Sequence, residues 1–194
     1  MSEPVTVPPD PLVFNALYEP LEPIVEEVAQ KCPSNDQPKK LFLQPMVRNL
    51  VYHFVMGLES LGLLVTHLRT SEHTVPLGLL PAGKSTFHEA FERFPAADFR
   101  KMFFLLLSSV GWLAVPEMAA LGRLCVVDSS LFPALLHMAW ATYSSTHHAF
   151  RLHLCFELNR MLPVQVLLQE GTSNEKQALK GWLEAGVTYI ADRG

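Results

Sequence analysis

At residue 124 the spacing of apolar residues changes from helical to extended, and the order of elements that follows is compatible with few folds. Before it, Val47, Leu50, Val51, Phe54 and Leu58 fall on one helical face. So do Phe87, Ala90, Phe91 and Phe94, and then Phe99, Met102, Phe103 and Leu106; Pro95 separates these two helices and suits a helix start. After it, residues 124–127 are a continuous apolar run ending in Asp128, as in a central strand covered on both faces. Phe150, Leu152, Leu154, Phe156 and Leu158 alternate with Arg151, His153, Cys155 and Glu157, the period of a half-buried strand. A turn over 159–163 leads to a second arm at 164–168. Thr172 and Glu175 predict a capping box, Ala178, Leu179, Trp182 and Leu183 an apolar stripe, and Gly186 a stop. Residues 187–191 are a further apolar strand ending in Asp192.

The expected fold class is therefore α+β or α/β. A Pro-rich, disordered stretch (1–20) precedes a helical domain (21–118), in which Ile24, Val25 and Val28 mark a first short helix. Residues 119–194 carry the order strand, strand, strand, helix, strand. The 194 residues are 49% hydrophobic and 18% charged, a globular balance with no tract that argues for disorder throughout. A net charge of -4 excludes a global basic field, so any nucleic acid must be held by a local patch. Three cysteines at unrelated spacings argue against a disulfide framework and for a reducing compartment. The acidic, Pro-rich start lacks the features of a signal peptide. The longest uncharged run, 102–115, is shorter than the roughly 20 residues a spanning helix needs. It reads as a buried core helix. A cytoplasmic protein without membrane contact is expected.

The strand order also sets directions. Two antiparallel steps make the third strand parallel to the first, and a helical crossover keeps the fourth parallel too. Asp128 and Asp192 then emerge at the same edge of the sheet. If the fourth strand pairs with the free side of the first, their backbones lie about 4.8 Å apart and one ion can touch both. If it docks beyond the third, about 14 Å separates them and no ion is shared. The residues alone leave both dockings open.

The segments RLCVVDSS, HHAFRLHLCFELNRMLPVQVLLQEG and GWLEAGVTYIADRG resemble the catalytic core of bacterial insertion-sequence transposases of the DDE class, and GKSTFHEAFERFPAADFRKMFFLLL is more weakly similar to their helical lead-in. The resemblance implies a ribonuclease H-like core, here its first half, with Asp128-Ser129-Ser130 and Asp192-Arg193-Gly194 in the positions of the family's first two acids. It implies metal-dependent cleavage and strand transfer in DNA transposition, with Asp128 bridging two Mg2+ (or Mn2+) ions and Asp192 holding one. The implied partner is double-stranded DNA at transposon ends; homodimerisation is left open. The family's third acid is a Glu on a later helix, and Glu157, Glu170, Glu175 and Glu184 belong to other elements. The chain alone is therefore expected to be inactive. Arg193 is weighed as a phosphate contact against a solvated strand-end charge, and His147 and His148 as DNA contacts against a polar loop.

Other motifs give weaker readings. Gly78 to Ser85 satisfies the P-loop spacing, but the mechanism needs a strand feeding the loop, and Pro76 and Pro81 oppose one. No nucleotide is expected, and Ser85-Thr86 reads instead as the cap of a helix from Phe87. His137, His147, His148, His153 and Cys155 lack the paired spacings of a zinc site. A GxSxG elbow is absent, and a haloacid dehalogenase-type phosphatase would want Asp where Ser130 stands. The alternative is a non-catalytic helical module that binds DNA or a partner helix, with a helix-turn-helix around 85–107 and a remnant core. With one crossover helix for a sheet apolar on both faces, an exposed apolar face and poor solubility are expected.

Overall fold

Asp10 caps the first described helix. Its carboxylate accepts from the Leu12 and Val13 amides at 2.8 and 3.4 Å, satisfying donors that a helix start leaves orphaned. Helix α1 (Pro11–Tyr18) follows, with Pro at N1. The computed structural model describes residues 9–32, 41–110, 120–134, 141, 143–144 and 147–191. The expectation of disorder over 1–20 is thus corrected for Pro11–Tyr18. Phe14 and Tyr18 lie four apart, on one helical face, and are 1% and 3% exposed. Burying each ring contributes about 2–3 kcal/mol, enough to hold a two-turn helix that would be marginal alone.

The first of two compact units, Met1–Val110, adds α2 (Glu22–Gln30), α3 (Leu43–Val55), α4 (Leu61–Thr70), α5 (Lys84–Arg93) and α6 (Ala96–Ser109). Its core gathers Phe14, Val25, Leu41, Leu43, Met46, Tyr52, Leu64 and Phe87. Asn49, fully buried, clips the loop before α5: its Nδ2 donates to the Leu80 carbonyl at 2.8 Å and its Oδ1 accepts from the Leu80 amide at 3.2 Å. Two expectations are corrected here. Helix α5 begins at Lys84 behind Gly83, so Ser85-Thr86 lie inside it and do not cap it. Helix α6 ends at Ser109 and buries Met102, with Phe103 to Leu107 half-buried, so the described part of the 102–115 run is amphipathic, while 111–115 lie outside the described residues. No described helix is long and apolar enough to cross a membrane.

The second unit, Gly111–Gly194, is built on a four-stranded mixed sheet. Strand β1 (Arg123–Pro133) pairs antiparallel with β2 (Ala149–Glu157), and β2 pairs antiparallel with β3 (Leu162–Glu170) across a turn where Met161 takes φ 53°. Helix α7 (Glu175–Trp182) crosses to β4 (Val187–Ala191), which pairs parallel with β1. The strand order is β3-β2-β1-β4. Alternation gives the sheet two faces. Cys125, Val127, His153, Cys155 and Glu157 share the face that α7 covers; there the Tyr189 hydroxyl donates to the Trp182 carbonyl and His153 Nε2 lies 3.2 Å from Ser173 Oγ. The cap of α7 is Asn174, whose side chain accepts from the Lys176 amide at 2.8 Å. The helix is thus capped at Asn174 and not at the expected Thr172. Of the predicted stripe, Ala178 is buried while Leu183 is 58% exposed.

Candidate functional site

The site follows from where β4 docks. Register pairs Arg123 with Val187 and Val127 with Ala191, so β4 lies against the free side of β1 rather than beyond β3. Of the two dockings that direction alone permits, this one sets the two strands about 4.8 Å apart. Val127 precedes Asp128 by one bond and Ala191 precedes Asp192 by one bond. Asp192, Arg193 and Gly194 lie outside the described residues.

Asp128 does not end its strand, which corrects the expected boundary of β1. Pairing with β2 continues through Asp128↔Leu154 to Pro133↔Ala149, and only the described pairing with β4 stops at Val127. The carboxylate is exposed and shares its sheet face with Leu124, Val126, Ser130 and Leu154, opposite α7. It is a hard oxygen donor open to solvent, which fits one ligand of a Mg2+-type ion whose other positions go to water or phosphate. Among the described residues, no three His, Cys, Asp or Glu side chains are grouped to hold a metal.

Other sequence-derived residues sit elsewhere. His148 accepts from the Ala134 amide at its carbonyl, and His147 closes a small turn with Ser144. Both lie beyond the Pro133 end of β1, five residues from Asp128, or about 17 Å at the rise of a strand. The structure does not bring them to Asp128. Glu157 is fully buried under α7 and receives Arg123 Nε at 2.9 Å, while Arg123 Nη1 bonds Glu184. Burial opposes the charge on Arg123, but these two carboxylates outweigh it and hold its pKa above the ordinary value. Glu157 and Glu184 are thus spent on an ion-paired network on the other face. Burial likewise raises the pKa of Cys125 and pushes that of Cys155 up to about 12, so both thiols stay protonated and are poor nucleophiles at neutral pH.

Arg151 is a polar residue that motif reasoning passed over. Its Nη1 lies 3.5 Å from Ser129 Oγ and its Nη2 3.4 Å from the Gly171 carbonyl, beside Asp128 in sequence but on the α7 face. The alternation of β2, which puts Arg151 in phase with buried His153, carried that signal. The P-loop spacing has no strand before it: a turn segment leads into Gly78, and the Leu80 amide is already bonded to Asn49. Compared with family models, curated proteins and solved structures, the chain matches none.

Proposed function

We propose that the second unit is the metal-binding core of a DDE-type DNA transposase of ribonuclease H-like fold, with Asp128 and Asp192 as two of its three carboxylates. One observation carries the reading: β4 runs parallel to β1 with Ala191 opposite Val127, one bond short of each aspartate. Connectivity keeps the two aspartate α-carbons within about 12 Å, because consecutive α-carbons are about 3.8 Å apart and paired strands about 4.8 Å apart. One more residue of the same ladder would bring them to about 5 Å, where a single hard cation touches both. The chemistry that Mg2+ or Mn2+ supplies in such sites is activation of the attacking oxygen and stabilisation of the leaving one. The protein's part is to supply Asp128 from β1 and Asp192 from the residue after β4, and to leave the Asp128 face open to a duplex. The DNA of transposon ends is the substrate in this reading, in a bacterial cytoplasm. No third acid matches by motif, so the activity of this chain alone is expected to be negligible.

The test is Mn2+ binding followed by electron paramagnetic resonance, with and without a terminal-repeat duplex. The unaltered chain should bind the ion weakly, and more tightly with duplex, because phosphate oxygens complete the shell. Asp128→Asn and Asp192→Asn should each weaken binding about tenfold or more, since each removes a charged ligand. Mn2+ affinity equal in all three proteins would overturn the reading.

A second reading, a non-catalytic helical module binding DNA or a partner, draws on the self-contained core of the first unit. Binding of duplex that survives both aspartate substitutions and weakens steeply with salt would favour it.

A further inference from the structure

Between α1, α2, α3 and the loop after α4 lies an open groove of about 530 Å3, within the roughly 300–1,000 Å3 typical of ligand sites. Tyr18 forms part of its floor. The residue is 3% exposed, lines the groove beside Arg48 and Glu22, the charges that act on its hydroxyl, and forms no side-chain hydrogen bond among the described residues. The hydroxyl oxygen is not among the buried polar atoms that lack a partner, so it reaches solvent and is open to a ligand. Burial raises the Tyr18 pKa and keeps the phenol protonated, a donor for a carbonyl oxygen.

The charges of the lining do not balance. Glu22 and Glu26 stand one turn apart on α2, where like charges repel at about 5–6 Å between β-carbons. Glu22 complements the positive end of α2, but Glu26 lies beyond the first turn and gains nothing from it. Neither carboxylate forms an ion pair among the described residues. Arg48 is the cation in the lining, and it is committed elsewhere. Its Nε donates to the Leu77 carbonyl at 2.7 Å, its Nη2 bonds Asn15 Oδ1, and its guanidinium stacks 4.5 Å over the Tyr18 ring. Beside the carboxylates the walls are apolar: Pro45, Pro76 and Val75, the last 84% exposed.

We infer that this groove docks an extended peptide segment carrying a lysine or arginine beside an apolar residue. The cation spans Glu22 and Glu26, the apolar side chain covers Val75, and the Tyr18 hydroxyl donates to a peptide carbonyl. An open trough fits a chain passing along it better than an enclosed small molecule. The inference rests on the first unit alone and is independent of the transposase reading.

The test is fluorescence anisotropy of the whole chain with labelled Gly-Leu-Lys-Leu-amide, its Gly-Leu-Gln-Leu-amide counterpart, and spermidine as competitor. The lysine peptide should bind, with affinity falling as salt rises, and the glutamine peptide about tenfold more weakly. Glu22→Gln combined with Glu26→Gln should cost about tenfold. Tyr18→Phe should cost threefold or more while leaving the Tm unchanged, because the lost hydroxyl forms no hydrogen bond among the described residues. Equal binding of the two peptides, an unaffected double variant, or no binding of the lysine peptide at millimolar concentration would overturn the inference. Spermidine binding without peptide binding would also overturn it, in favour of a small polycation.

Discussion

Glu157 is the most consequential buried charge described in the second unit. Its side chain is 1% exposed and leans on Arg123, whose own side chain is 36% exposed and is shared with Glu184. Removing one partner of a buried pair leaves the other charge stranded, whereas neutralising the buried member does not. Arg123→Ala should therefore destabilise by about 2–4 kcal/mol, discounted from the fully buried case because Arg123 reaches water. Glu157→Gln should cost about 1 kcal/mol, since an amide can still accept from Arg123. Urea melts of the two variants check the order, and a reversed order would remove the network from the account. His53 supplies a pH-dependent counterpart. Its Nδ1 is enclosed without a hydrogen-bond partner, and burial lowers its pKa. A base with a depressed folded pKa favours the neutral fold, so its contribution is intact above its ordinary value of about 6.5 and is lost as pH falls below it. The unaltered chain should lose more stability than His53→Leu between neutral and mildly acidic pH, measured by paired urea melts. Neither residue stood out in the sequence. A buried glutamate in an alternating strand looks like any inward-phase position until the neighbouring strand is known to bring an arginine.

Elements were legible where one period dominated. Helices α3, α5 and α6 correspond to apolar spacings of 3.6 and strand β2 to one of 2, while β3 and β4 were read as short apolar segments, with boundaries off by a few residues. Helix α4 escaped because Leu61, Leu63, Leu64, Val65 and Leu68 are apolar nearly all round, and its signal was the Ser60 cap, which accepts from the Leu63 amide at 3.2 Å. Helix α1 escaped because flanking prolines read as disorder, although Asp10 and Pro11 are themselves a helix start. Caps were also where chemistry misled. Thr172 and Glu175 satisfy the capping box in spacing, yet Asn174 takes the role, because an Asn adjacent to the helix reaches an N-terminal amide without needing the extra residues. Asn174→Ala should thus cost about 1 kcal/mol and Thr172→Ala near zero, by thermal melts. The reverse result would restore Thr172 as the cap. For the candidate site, direction and the two strand-end aspartates were readable from the order of elements. Docking was not, because pairing of β4 with β1 depends on contacts between residues some sixty positions apart, such as Cys125 with Tyr189.

At the scale of the molecule, the sheet is covered unevenly. The one α-helix described in the second unit lies over the Cys125–Val127 face, while the opposite face presents Leu124, Val126, Leu152, Leu154 and Phe156 half-buried. Toward the two outer strands the exposure grows, to 54% at Leu168 on β3 and 48% at Ile190 on β4, with Phe132 at 40% near the end of β1. Exposed apolar side chains on outer strands invite edge-to-edge and face-to-face association. The same face carries Asp128, so its openness would serve the proposed duplex contact and at the same time exposes the chain to self-association. Leu168→Thr with Ile190→Thr keeps β-branched or small side chains that suit strands while removing much of the apolar exposure. That double variant should raise the highest soluble concentration and lower the fluorescence of a bound hydrophobic dye, with a Tm within a few degrees of the unaltered chain. Asp128 should be indifferent to the change, so Mn2+ binding should persist. A variant that is less soluble, or that melts far lower, would mean these two side chains are already packed in solution and that the face is not open to a duplex.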